Sequence, residues 1–138
     1  MKWRDNNKGF SLVELIIVIA IMALLAGALA PALLRYVEES RIRVDEEKAA
    51  DLDDAVTIAM GELGVHDEIL ALALPVKLKF YPGTGLDNSS GTVPTLKNYV
   101  EQTISPKKMY LKSHLYDSPT SYYEIEINVN YVEVTIKK

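Results

Sequence analysis

From Phe10 to Leu34 the chain runs for 25 residues with a single charge, Glu14. About 20 apolar residues at 1.5 Å each span a hydrocarbon core of roughly 30 Å, so this stretch predicts a membrane-crossing helix. A carboxylate inside such a segment costs roughly 2.5–3.5 kcal/mol at mid-membrane and usually marks function. Glu14 lies near one end, where the cost is lower, but its placement still needs a reason. The blander reading is a plain signal anchor with an incidental acid.

What precedes the apolar run sets its orientation. Met1–Gly9 carries Lys2, Arg4 and Lys8 against Asp5. Positive residues favour the cytoplasmic side, which keeps this end inside and puts the rest of the chain outside. An ordinary secretory signal is cut after its apolar core. Here the plausible cut precedes the core, so the anchor is retained.

The run Gly9-Phe10-Ser11-Leu12-Val13-Glu14-Leu15 after a short basic leader resembles the class III signal of type IV pilins and pseudopilins. The resemblance implies that a membrane-bound prepilin peptidase cuts between Gly9 and Phe10 and methylates the new amino terminus at Phe10. Glu14 then becomes the fifth residue of the mature chain, the position this family keeps acidic for assembly. Pro31 falls where the family often has a helix-loosening proline; in a departure from the family, Ala23 stands where many members carry a glycine and Gly27 lies four residues before Pro31, so Gly27 and Pro31 together are the helix-loosening candidates. Implied partners are further copies of the chain in a helical filament, other pilins, the inner-membrane assembly platform and, for the precursor, the membrane itself. Implied location is the cytoplasmic membrane and then the cell surface.

A physical mechanism stands beside that resemblance. A freed ammonium on Phe10 and the Glu14 carboxylate of an adjacent subunit can neutralise each other as both leave water. Desolvation offsets much of the gain, so such a pair acts mainly as a register device. Pro31 removes one backbone donor and crowds the preceding turn. It is read either as a tolerated kink or as a stretch that lets a filament extend.

The helix is expected to continue past Leu34, because no Pro or Gly follows Pro31 until Gly61. Val37, Val44, Ala55, Val56, Ala59 and Leu63 recur near helical spacing, widened by Ile42, Leu52 and Ile58. Glu39–Arg43, Arg41–Asp45 and Arg43–Glu47 read as i,i+4 pairs on the opposite face. Gly61 and Gly64 supply the stop. A helix from Phe10 to about Met60 would be on the order of 75 Å long.

Residues 65–138 are expected to form the head. Val76–Tyr81 alternates and predicts a strand. Pro82–Gly91 reads as a surface loop. Leu96, Tyr99, Val100 and Ile104 predict a short helix from near Pro94. Lys108–Lys112 reads as a possible strand, and Asp117–Ser121 as a turn. Tyr123, Ile125 and Ile127 alternate with Glu124 and Glu126, and Val132, Val134 and Ile136 with Glu133 and Thr135; the parity switch across Asn128–Asn130 predicts a hairpin. The expected fold is α+β: a leader (1–9), a long helix (10–64, with 10–34 the membrane and assembly segment), and an antiparallel sheet of three or four strands covering the Val44–Leu63 stripe.

Composition narrows the function. There is no cysteine, so neither disulfide nor thiolate site is available. Loss of residues 1–9 leaves 12 basic and 18 acidic residues, and a net charge of −6 argues against nucleic-acid wrapping by the isolated subunit. The Asp87–Gly91 loop offers oxygen ligands and an Asn-x-Ser sequon, but Asp87 with Asn88 is thin for calcium, and a solvated loop is preferred. His66 and His114 are isolated, no catalytic motif appears, and no cofactor is expected. Seven of eight tyrosines lie at or beyond Tyr81 and suit packing and surface contacts. The function these features favour is a non-enzymatic type IV pilin used in adhesion, motility, aggregation or DNA uptake. Alternatives are a pseudopilin of a type II secretion or competence system, and a monomeric membrane-anchored adhesin.

Overall fold

The computed structural model describes residues 9–72, 74–87, 93–116 and 118–138. The chain forms two compact units, Met1–Val37 and Glu38–Lys138. Helix α1, Leu12–Met60, contributes to both. In the first unit every described residue from 9 to 37 is exposed. The apolar first half of α1 therefore leaves its side chains uncovered among the described residues.

The second unit is built on the amphipathic half of α1. Leu52, Ala55, Val56 and Ala59 recur three and four apart, so one face of the helix is fully buried. That face enters one core with the inner face of a four-stranded antiparallel sheet, order β2-β1-β3-β4. The strands are β1 (Val76–Tyr81), β2 (Gly85–Asp87), β3 (Tyr122–Ile127) and β4 (Val132–Lys137). Alternation does the sorting. Val76, Leu78 and Phe80 point inward against Ile127, Ile125 and Tyr123 in register. Burying each large apolar side chain contributes about 1.5–3 kcal/mol. Phe80 and Tyr123 meet edge to face, with ring centres 6.2 Å apart. On the outer face Lys77 reaches Glu126 at 3.0 Å, and Lys79 sits 4.9 Å above the Tyr122 ring.

The predicted hairpin forms, with Ile127 opposite Val132 and the Asn128 amide donating to the Tyr131 carbonyl at 2.9 Å. Helix α3, Pro94–Thr103, starts at the expected proline and buries Leu96 and Val100. Val93 gives it no side-chain cap; instead the Glu68 carboxylate accepts the Thr95 and Leu96 amides at 3.2 and 3.1 Å.

Three local expectations are corrected. Gly61 does follow the end of α1, but Gly64 lies inside a second helix, α2 (Leu63–Leu70). Full burial of Val65 and Ile69 there outweighs the glycine's cost of about 1 kcal/mol. Within the expected loop Pro82–Gly91, Gly85–Asp87 pairs with Tyr81, Phe80 and Lys79 as β2. Gly85 permits this, since its φ of 95° is left-handed and a Cβ would overlap the Glu101 carboxylate. Lys108–Lys112 is not a strand: Pro106–Lys108 forms a 3-10 turn and the following residues are irregular.

The third correction has a cause in α1. Of the three i,i+4 pairs expected there, none forms among the described residues. Asp45 is fully buried and its carboxylate accepts the Lys112 amide at 2.9 and 3.0 Å and the Ser113 amide at 2.8 Å. Lys48 balances that charge at 3.2 Å and also donates to the Tyr110 carbonyl. One helical stretch away, Glu38 accepts the His114 amide at 2.6 Å. The segment needs no neighbouring strand because side chains of α1 satisfy its backbone.

Candidate processing and assembly site

The beginning of α1 is capped by its own sequence. The Ser11 hydroxyl accepts the Val13 amide at 3.4 Å, and the Glu14 carboxylate reaches back to accept the Ser11 amide at 2.8 Å. The Ser11 carbonyl accepts the Leu15 amide at 3.2 Å. This is a reciprocal capping box, Ser-x-x-Glu, which satisfies donors that a helix start leaves orphaned. A carboxylate is also favoured at the positive end of the helix dipole. Glu14 thus has a role inside one chain in addition to the one anticipated between chains. Ser11 was not anticipated at all, although its spacing to Glu14 was the available signal.

The cap fixes where the helix starts, and so what lies outside it. Gly9 and Phe10 precede the helix and are exposed, Phe10 at 88%. A peptide bond between them lies in chain that a protease can straighten without unwinding a helix. A Cβ built on Gly9 would meet nothing within 4 Å. The fold itself therefore does not require glycine there.

Downstream, the helix runs unbroken through Gly27 and Pro31. The two are four apart, so they weaken the same place. Pro31 has no N–H to give to the Gly27 carbonyl and its ring crowds that oxygen. Gly27 adds the lowest helix propensity after proline, and a Cβ there would meet nothing within 4 Å.

The other sequence candidates lie apart from this site. Asp87 ends β2 opposite Lys79, while Asn88–Gly91 fall outside the described residues, as does the leader through Lys8. His114 lies 3.3 Å from the Arg41 guanidinium. No cluster of three or more His, Asp or Glu able to hold a metal occurs among the described residues. Tyr123 is a packing residue: its hydroxyl donates to the Met109 carbonyl at 3.0 Å, and burial, with the Asp45 charge second, pushes its pKa well up.

Residues 4–30 match the prokaryotic N-terminal methylation motif. That match supports a class III signal peptide of the kind typical of type IV pilins and pseudopilins. The long N-terminal helix, apolar in its first half and packed in its second against a small antiparallel sheet, matches an α+β pilin fold. No curated protein and no solved structure matches the chain.

Proposed function

We propose that the chain is the structural subunit of a type IV pilus, cut between Gly9 and Phe10, methylated on Phe10, and polymerised through the first half of α1. One observation carries this reading: a helix segment apolar on all sides is wholly exposed in the single chain, behind an exposed Gly-Phe bond. Such a segment is stable only in lipid or against apolar neighbours. Passing from bilayer to helix bundle costs it little, because lipid tails are as apolar as leucine. The Glu14 carboxylate answers the new ammonium of an adjacent subunit and sets the stagger between helices. The weak point at Gly27 and Pro31 gives the spine somewhere to lengthen under load. Pilin subunits are non-enzymatic in general, and neither a cofactor nor a metal is part of this reading.

The site sits at the cytoplasmic membrane in the precursor and inside the filament afterwards, with the head outside. The test is direct. Mass spectrometry of the native product should show a chain beginning at N-methylated Phe10, and shearing cells should release long filaments of it. A product beginning at Met1 would end the reading. Short wall-spanning polymers in place of long filaments would make the chain a pseudopilin instead.

A further inference from the structure

We infer that neighbouring heads dock through opposite edges of the sheet, the Lys107–Lys108 corner of one copy seating in the groove between α1 and β4 of the next; this rests on the filament reading above.

The inner face of the sheet is unevenly covered. On β1 and β3 the inward side chains are buried, whereas Val132, Val134 and Ile136 of β4 are only half-buried. Facing them α1 presents Ala49 and Ala50, too small to close the gap. A groove of about 530 Å³ remains, with Tyr116 also in its lining. β4 is also an edge strand, with one row of backbone groups unpaired in the sheet. Uncovered apolar surface beside an open edge is what a partner would cover.

The rim of the groove says which partner. Glu46, Asp53 and Glu133 line it. No Lys or Arg pairs with any of the three among the described residues. Asp53 Oδ1 is buried without a hydrogen-bond partner. Burial, then the charges of Asp54 and Glu133, raise the Asp53 pKa. The rim thus holds uncompensated negative charge and favours a cation from elsewhere.

Lys107 and Lys108 meet that need. Both are exposed, and neither has an ion pair among the described residues. Lys48, Lys77, Lys97 and Lys137, by contrast, each hold an acid of their own chain. The Lys107–Lys108 turn is tied to the β1–β2 connection, since the Gly83 amide donates to the Pro106 carbonyl at 2.9 Å. β2 and β4 are the two edges of the sheet, with β1 and β3 between them. The two edges are three strand spacings apart, about 14 Å, and neither lysine pairs with a rim acid of its own chain among the described residues. A second copy can supply the pair. Contact between two different faces repeats head to tail and propagates as an open chain of subunits wherever the rotation does not close a ring. The ion pairs would set partner and register, with the apolar floor supplying the buried area.

The absence of native cysteine makes the contact directly testable. Glu133→Cys and Lys107→Cys are placed in one full-length chain, and sheared filaments are oxidised and run without reductant. A ladder of multimers that collapses on reduction is expected, with each single variant giving no such ladder. Independently, Glu133→Lys and the pair Lys107→Glu with Lys108→Glu should each lower filament yield several-fold, and their combination should recover most of it. Filaments of the double-cysteine chain that form normally without a ladder, or charge reversals that fail to rescue each other, would overturn the docking while leaving the subunit reading intact. Failure of the unmodified chain to form filaments would remove both.

Discussion

Glu14 has one role in the helix cap and a second that is proposed in assembly, and substitutions can separate them. As the fourth residue of the capping box it accepts the Ser11 amide; as a charge it is proposed to answer a neighbouring ammonium. Glu14→Gln keeps the cap and removes the charge, whereas Glu14→Ala removes both, at a cost of about 1 kcal/mol to the helix start. If the charge drives assembly, both variants lose filaments to a similar degree while precursor cleavage continues. Filament yield from sheared cells at matched subunit levels decides it: normal yield from Glu14→Gln would assign the residue to the cap alone. Gly9→Val makes the complementary case. With open space around Gly9 the variant should fold and insert normally, yet accumulate as uncut precursor on a gel. Efficient cleavage of that variant would show that the glycine is not read. Gly9, Phe10 and Glu14 can be named from the sequence because their motif is local, whereas the part Ser11 plays emerges only from where the first amides of the helix are bonded.

Elements were legible where a repeating pattern reports burial. The alternation in β1, β3 and β4 and the i, i+3, i+4 spacing in α3 each predicted an element that forms. Asp45 shows where the pattern fails. Its spacing from Arg41 suggests a solvated pair, but its partners are amides 67 and 68 residues away, which no periodicity reveals. The same contact removed the strand expected at Lys108–Lys112. Asp45→Ala strands two amides and leaves the Lys48 ammonium with the Tyr110 carbonyl but no counter-charge, with a penalty of about 1–3 kcal/mol for each amide left unsatisfied. The melting temperature of the full chain in detergent should fall markedly, and Asp45→Asn should fall less, since one carbonyl oxygen remains to accept. Asp53 is predicted to behave oppositely. Its raised pKa means that charge is forced on it as pH rises through the folded-state value, and stability is lost there. Asp53→Asn should therefore melt higher than the parent at neutral pH. The difference should vanish below the ordinary carboxylate value of 3.8, where both side chains are neutral. A constant difference across pH would show that the Asp53 charge is not the cause.

At the scale of the whole chain, the division that matters falls inside α1 rather than after it. All buried core residues lie in Glu38–Lys138, and Leu52, Ala55, Val56 and Ala59 of α1 are among them. The residues after α1 cannot close the sheet's inner face alone. A domain that small buries a low fraction of its surface, and this one has no disulfide to compensate. The first unit is the reverse case: its described residues expose apolar side chains along their length. Two truncations separate these roles. A fragment of residues 38–138 should be soluble without detergent, monomeric at low concentration, and should unfold in one cooperative transition. A fragment of residues 61–138 should lack that transition, because it loses four buried α1 side chains as well as Asp45 and the anchorage of residues 109–114. Circular dichroism with thermal melting reads both. A cooperative melt from the shorter fragment would show that the sheet and its two short helices suffice, and that the second half of α1 is a passenger on the head. Failure of the longer fragment to fold would mean that the apolar half supports the head as well as the filament, joining two tasks that the pattern of burial keeps apart.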